Sequence, residues 1–173
     1  SINAISALCE ETGADVREVT KAIGADTRIG NKFLNAGPGF GGSCFQKDLL
    51  NIVYLCRHYG LSEAADYWEQ VLIINEHQRD RFSKKIIDLI RKENLESKVL
   101  LLGWAFKKDT NDSRESAAIY VTSNLISAGI KVMVYDPKVE KNKIIHDLQL
   151  LGHSEKDMIE VAERPVFDNC NLN

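Results

Sequence analysis

Through residues 1 to about 95 the apolar positions recur every three or four residues, and no convincing strand interrupts them. The opening SINAISALCEE sets Ile2, Ile5, Leu8 and Cys9 at helical spacing with only Ser1 as a cap, so the chain is expected to start inside a helix, as a fragment would. Thr12-Gly13 breaks that helix. DVREVTKAIG resumes it with Val16, Val19, Ala22 and Ile23 on one face, Asp15 as cap and Gly24 as stop. A glycine loop follows, and then FQKDLLNIVYLCRHYG, whose buried stripe is expected to be Leu49, Ile52, Val53 and Cys56 and whose end is Gly60. From Ser62 a much longer segment keeps Ala64, Trp68, Val71, Leu72, Asn75, Phe82, Ile86, Leu89 and Ile90 near the helical period. About thirty residues at 1.5 Å each make ~45 Å, so this helix is expected to bridge two domains or carry a subunit interface. Two shorter helices kinked near Asn75 would give the same pattern.

At Lys98 the pattern changes. KVLLLG is a short continuous apolar run, the signature of a strand covered on both faces. The polar loop KKDTNDS leads to the helix RESAAIYVTSNLISAG, closed by Gly129, and a second run, KVMVYDP, stops at Asp136-Pro137. This is β-loop-α-β with a right-handed crossover expected, the start of a doubly wound sheet. A helical stretch, EKNKIIHDLQLLG, comes next, and the chain closes on DNCNLN with only PVF as a candidate third strand. Two strands do not make a stable open sheet, so this half also reads as cut short. The fold class is α + α/β: an all-helical central domain over residues 1–95 with a long connecting helix, then a truncated Rossmann-like β-α-β unit over residues 96–173.

Composition narrows the setting. Of 173 residues, 44% are hydrophobic and 27% charged, the balance of a globular protein, and a net charge of −3 offers no reason to expect nucleic acid or an anionic membrane as partner. No apolar run approaches the ~20 residues of a membrane helix. Cys9, Cys44, Cys56 and Cys170 stand far apart, and His58, His77, His146 and His153 are equally scattered. Neither a disulfide framework nor a metal site is expected, and the cysteine usage suits a reducing, cytoplasmic setting.

One stretch carries candidate chemistry. GPGFGGSC satisfies the letters of the dinucleotide-binding fingerprint, G-x-G-x-x-G, from Gly37 to Gly42. The fingerprint needs a strand before it and an acidic residue at the end of a second strand about 20 positions on. RIGNKFLNA is no strand, and Glu63 heads a helix. The other reading is a tight backbone that approaches a ligand closely and presents a cysteine. Ser43 is a candidate N-cap, which puts Cys44 in the first turn, where unpaired N–H groups and the helix dipole favour a thiolate. Lys47 and Asp48 share its face one turn on and act on the thiol in opposite senses. Asp48 is also placed to activate a water that attacks a thioester. Cys9 and Cys56 lie on apolar faces and read as core; Cys170, in a polar tail, reads as incidental.

GFGGSCFQKD, preceded by RIGNKFL and followed by GWAFKKDTNDSRES, resembles the animal-type UDP-glucose 6-dehydrogenase family from Ser1 to roughly Leu151. The resemblance implies an NAD-dependent, four-electron oxidation of UDP-glucose to UDP-glucuronate. The cysteine adds to an aldehyde, the thiohemiacetal is oxidised, and the thioester is hydrolysed. It implies Cys44 as nucleophile and Asp48 as the water-activating aspartate. The substrate loop falls on Asn35, Ala36, Gly37, Pro38, Gly39, Phe40 and Gly41, with Arg28 contributing across a dimer, and Phe106 and Lys107 contact the nucleotide sugar. Lys47 and Arg114 match residues near the cofactor. Asn35 stands where animal members usually have lysine. Considered singly, Lys107 and Arg114 could be solvated loop charges, and Arg28 could pair with Asp26. The resemblance further implies a homodimer through the helical domain, within a higher homo-oligomer. It places the NAD-binding glycine fingerprint ahead of Ser1, so the 173-residue chain alone is expected to be inactive. The alternatives are a related dehydrogenase acting on GDP-mannose or UDP-N-acetylmannosamine, and a non-catalytic dimerisation module.

Overall fold

The structure, a computed structural model, describes residues 1–154 and 159–162. Four helices come first: α1 (Ile2–Thr12), α2 (Val16–Gly24), α3 (Ser43–His58) and α4 (Ser62–Lys92). They are followed by β1 (Lys98–Leu102), α5 (Ala117–Ser127), β2 (Lys131–Tyr135), α6 (Lys141–Gln149) and β3 (Ile159–Val161). The fold is thus α + α/β, with no strand before Lys98 among the described residues. Among the described residues no helix is long and apolar enough to cross a membrane.

Local chemistry accounts for most of the boundaries. Gly13 takes the left-handed conformation at φ 73 and ends α1, with the Ala14 N–H returning to the Cys9 carbonyl at 2.9 Å. Asp15 caps α2 by accepting the Arg17 N–H at 2.8 Å. Ser116 caps α5 through the Ala118 N–H at 3.3 Å. Helix α3 buries Leu49 and Val53 and half-buries Ile52 and Cys56, the stripe its spacing predicts. Cys9 is buried as expected, but Leu8 on the same helix is exposed.

Helix α4 is one continuous element of 31 residues, unbroken at Asn75. Its buried face keeps most of the expected stripe: Asn75 and Ile90 are buried and Ala64, Val71, Leu72 and Ile86 half-buried, whereas Trp68, Phe82 and Leu89 are exposed. Gln78, Arg79 and Ser83, outside that stripe, are buried as well. The middle of the helix faces a loop whose main chain needs hydrogen-bond partners, so polar side chains win the inward positions there.

The sheet is parallel, in the order β1-β2-β3, with Lys98 opposite Lys131 and Val134 opposite Val161. Strand β2 is the central one, and its Val132 and Val134 are buried. They pack with Leu125, Ile126, Ile144, Leu148 and Trp104 into the main apolar core, which Ile90 of α4 joins. Strand β1 departs from the expectation of cover on both faces: it is half-buried at Val99 to Leu101 and exposed at Leu102, and among the described residues it is an edge strand. A third strand, not expected from the sequence, is Ile-Glu-Val at 159–161; the PVF candidate lies outside the described residues together with Cys170. Three residues with a central glutamate carry too little apolar content to stand out by periodicity.

Trp104, directly after β1, is fully buried, and its indole N–H donates to Asp147 Oδ2 at 3.0 Å. The same carboxylate accepts the Ser113 hydroxyl and the Lys143 ammonium. Asp136, at the end of β2, accepts the Trp104 and Ala105 N–H groups on one oxygen and the Lys138 and Val139 N–H groups on the other. Two buried or half-buried carboxylates therefore hold both ends of the 103–113 loop against α6 and β2.

Candidate active site

The glycine loop is pinned through its main chain. Asn3 of α1 accepts the Gly37 N–H at 2.9 Å, and Gln78 of α4 donates to the Gly37 carbonyl at 2.8 Å. Asn75 pairs with both polar groups of Phe40: its Oδ1 accepts the N–H at 2.8 Å, and its Nδ2 donates to the carbonyl at 3.1 Å. Gln78 is held in turn by Arg81, which bonds to Gln78 Oε1 and to the Glu10 carboxylate of α1. Lys85 adds a second ion pair to Glu10, and these two cations hold the Glu10 carboxyl below its ordinary value, the Lys85 hydrogen bond acting most. Sequence reading treated Asn75 as part of an apolar stripe and passed over Gln78 and Arg79. A polar trio, N-x-x-Q-R, interrupting the period of a long helix was the available signal.

At its far end the loop threads against the turn before α5. The Gly42 N–H donates to the Arg114 carbonyl at 2.8 Å. A Cβ on Gly41 would overlap the Glu115 carbonyl oxygen. Gly42 combines φ 89 with the Phe106 ring on the side where a Cβ would point, 2.9 Å away. No other residue type fits either position without moving the backbone.

Gly42, not Ser43, is the N-cap of α3, and no side chain caps the helix. Ser43 is the first helical residue; its hydroxyl lies 3.8 Å from Cys44 Sγ. The glycine wins because the cap residue must take a positive φ to turn past Phe106. Cys44 remains in the first turn, exposed and free. Lys47 and Asp48 follow on α3, both exposed. Phe40 meets Phe45 edge to face at 4.7 Å, closing the loop over the start of the helix.

The other expected residues are distributed as follows. Phe106 lies against Gly42, with Lys107 Nζ 5.2 Å from its ring. Lys107 also lines a cleft of about 430 Å³ with Lys108, Lys138, Asp136 and Gly103, at the carboxyl ends of β1 and β2. Arg114 is paired with Asp112 at 2.8 Å, and the Cys44 sulfur is close enough to contribute, after Asp112, to raising the Arg114 guanidinium. Asp112 is held down to about 2, first by the Arg114 side chain and then by its N–H. Pro38, Gly39 and Gly41 line a second cleft of about 510 Å³, with Phe106, Phe82 and β1. Asn35 and Ala36 are exposed at the loop's start. Arg28 is not brought to the loop by any bond of this chain; it is exposed and pairs with Asp26 at 2.6 Å. One end of the loop thus assembles Cys44, Phe106, Lys107 and Arg114 from elements more than sixty residues apart.

Two outcomes follow. Gly41→Ala is expected to cost about 1–3 kcal/mol in urea unfolding, because its methyl group lands on main chain. Gly37→Ala, with open space around that position, is expected to stay within about 0.5 kcal/mol; equal effects would contradict the close approach. A carboxyl NMR titration is expected to place Asp112 at about 2, and Arg114→Gln to raise it toward 3.8. Because the folded value is the depressed one, this pair's contribution is whole above the unfolded value and is lost as pH falls toward about 2. An Asp112 midpoint indifferent to Arg114→Gln would contradict the pairing.

Residues 1–77 match the central domain of the UDP-glucose/GDP-mannose dehydrogenase family, and residues 100–168 match that family's UDP binding domain. The chain is 57% identical to UDP-glucose 6-dehydrogenase of Gallus gallus over 99% of its length and 35% of the relative's. It is 54% identical to UDP-glucose 6-dehydrogenase of Drosophila melanogaster over 86% of its length and 31% of the relative's. Among solved structures, a UDP-glucose dehydrogenase from the hyperthermophilic archaeon Pyrobaculum islandicum superposes with a TM-score of 0.74 at 33% identity, covering 95% of this chain and 35% of that one. The chain spans about a third of the length of these relatives.

Proposed function

The chain belongs to the UDP-glucose/GDP-mannose dehydrogenase family, and from that premise we propose that it is the nucleophile-bearing portion of an NAD-dependent UDP-glucose 6-dehydrogenase. The observation that carries the reading is the convergence of Cys44, at an open helix start, with Phe106, Lys107 and Arg114 around a loop held by buried side chains. In this reading residues 1–95 form the central domain and 96–173 part of a UDP-binding domain, in a reducing cytoplasm that keeps the exposed Cys44 a thiol.

The chain's residues divide the work. The loop from Asn35 to Gly41 packs on UDP-glucose, and Phe106 and Lys107 meet its nucleotide end. The lysines of the 430 Å³ cleft suit a diphosphate, since each supplies a mobile point charge. Cys44 adds through sulfur to the C6 aldehyde, and its thiol proton passes to the carbonyl oxygen to give the thiohemiacetal. Asp48, one turn along the same helix, takes a proton from the water that attacks the thioester carbon, and the thiolate leaves. Lys47 and the Asp112-held Arg114 are exposed cations beside Cys44, a donor set that fits the edge of a pyrophosphate-bearing cofactor but does not enclose one. Two NAD molecules, bound in turn, would each take up one hydride of the overall oxidation, the first from the C6 alcohol and the second from the thiohemiacetal.

A second copy of the chain is proposed as partner. Exposed Leu50, Tyr54, Leu55, Tyr67, Trp68 and Ile74 lie on the α3–α4 hairpin, an apolar surface of the kind that marks an interface. In that dimer Arg28 of one copy would reach the other's loop.

Calorimetry on the 173-residue chain is expected to show UDP-glucose binding more tightly than GDP-mannose; the reverse order would favour the related activity. With NAD and UDP-glucose supplied, the chain alone is expected to form no NADH, and steady NADH formation would overturn that part. Sedimentation as a monomer at micromolar concentration would count against the dimer.

A further inference from the structure

Arg79, at the middle of α4, has a side chain only 8% exposed. One terminal nitrogen donates to two carbonyls, that of Phe40 at 3.0 Å and that of Glu115 at 2.9 Å. The other lies 3.8 Å from the Glu115 carboxylate, and the guanidinium carbon sits 4.0 Å from the centre of the Tyr120 ring. Tyr120 completes the circuit by donating its hydroxyl to Glu115 Oε2 at 2.7 Å. Nε has no acceptor, and a Cβ built on Gly39 would stand 3.6 Å from it, so loop backbone covers that nitrogen.

The arrangement is costly. A buried ion gives up its hydration, and an orphaned donor gives up its water without gaining a partner. Glu115 itself sits in the left-handed region at φ 55, which a non-glycine residue adopts only when its surroundings hold it there. A methionine would avoid the buried charge but could donate to neither the Phe40 nor the Glu115 carbonyl, so the arginine is there for its hydrogen bonds rather than for packing. What the guanidinium achieves is a junction. Phe40 belongs to the turn that leads into Cys44, Glu115 follows Arg114, and the same seam is crossed once more by the Gly42 N–H bond to the Arg114 carbonyl.

We propose that Arg79 is a positioning residue: it sets the register between the turn that presents Cys44 and the turn that presents Arg114, and through that register the reactivity of Cys44. The proposal rests on the reading of Cys44 as the nucleophile. It makes α4 the shared reference for the two halves of the site, one built from the helical segment and the other from the β-α-β unit.

The test is Arg79→Lys, which keeps the charge and most of the length but cannot serve two carbonyls and stack on a ring together. Three quantities are read on the 173-residue chain: cooperative unfolding in urea, amide exchange at Gly42, and the pH–rate profile of Cys44 alkylation, with Cys9 and Cys56 as internal controls. The expected result is a folded variant with Gly42 exchange faster by roughly tenfold or more and a displaced Cys44 profile, while the two control cysteines react as before. Wild-type Gly42 exchange and a wild-type Cys44 profile in a folded Arg79→Lys chain would overturn the proposal. If that variant does not fold, Tyr120→Phe decides, since it removes only the bond to Glu115: faster Gly42 exchange supports the junction, and unchanged exchange overturns it. None of these readouts involves substrate or turnover, so this proposal and the dehydrogenase reading fail separately.

Discussion

The pairing of Asn75 with both main-chain groups of Phe40 sets the condition that the rest of the site must meet. A loop rich in glycine has no side chains with which to order itself, and ordering each residue's backbone costs about 1–2 kcal/mol. Here an α-helix supplies the missing order: Asn75, Gln78 and Arg79 reach into the loop and take its carbonyls and N–H groups one by one. Trp68 and Phe82 stand seven residues to either side of Asn75, on the same face of the helix, and are exposed.

The second constraint comes from the other half of the chain. Trp104 and the carboxylates of Asp136 and Asp147 hold the loop after β1 so that Phe106 projects against Gly42 and the Arg114 carbonyl accepts the Gly42 N–H. The glycines at 41 and 42 are where the two systems touch. Each lacks a side chain because the opposing main chain or ring occupies that space, so the glycine run is a record of close packing between two units rather than of a phosphate turn.

Much of this was legible in the sequence. Helical periods, Gly13 and Gly129 as stops, Asp15 as cap and the two apolar runs placed eight of the nine elements among the described residues, because each is decided by nearby residues. What escaped was long-range. Ser43 has the chemistry of a cap, but the positive φ demanded by Phe106 gives the cap to Gly42. Gln78 and Arg79 on α4 escaped because a hydrophobic period says which apolar residues share a face, not that the face meets a polar loop. Strand β3 was missed because it contains three residues and a glutamate, and takes its strand conformation from pairing with β2. The candidate site divides in the same way. Cys44 and its glycine loop announce themselves locally, whereas Asn75, Gln78 and Arg79 matter only through partners 35 to 41 positions away.

The central claim is that the loop is a preformed nucleophile site within this chain. Site-resolved alkylation of its four cysteines at neutral pH, read by mass spectrometry with and without UDP-glucose, tests it most directly. The account predicts that Cys44 is labelled far faster than Cys9 and Cys56, and that UDP-glucose slows the labelling of Cys44 alone. Labelling of Cys44 at the rate of an ordinary exposed thiol, with no protection by UDP-glucose, would contradict it.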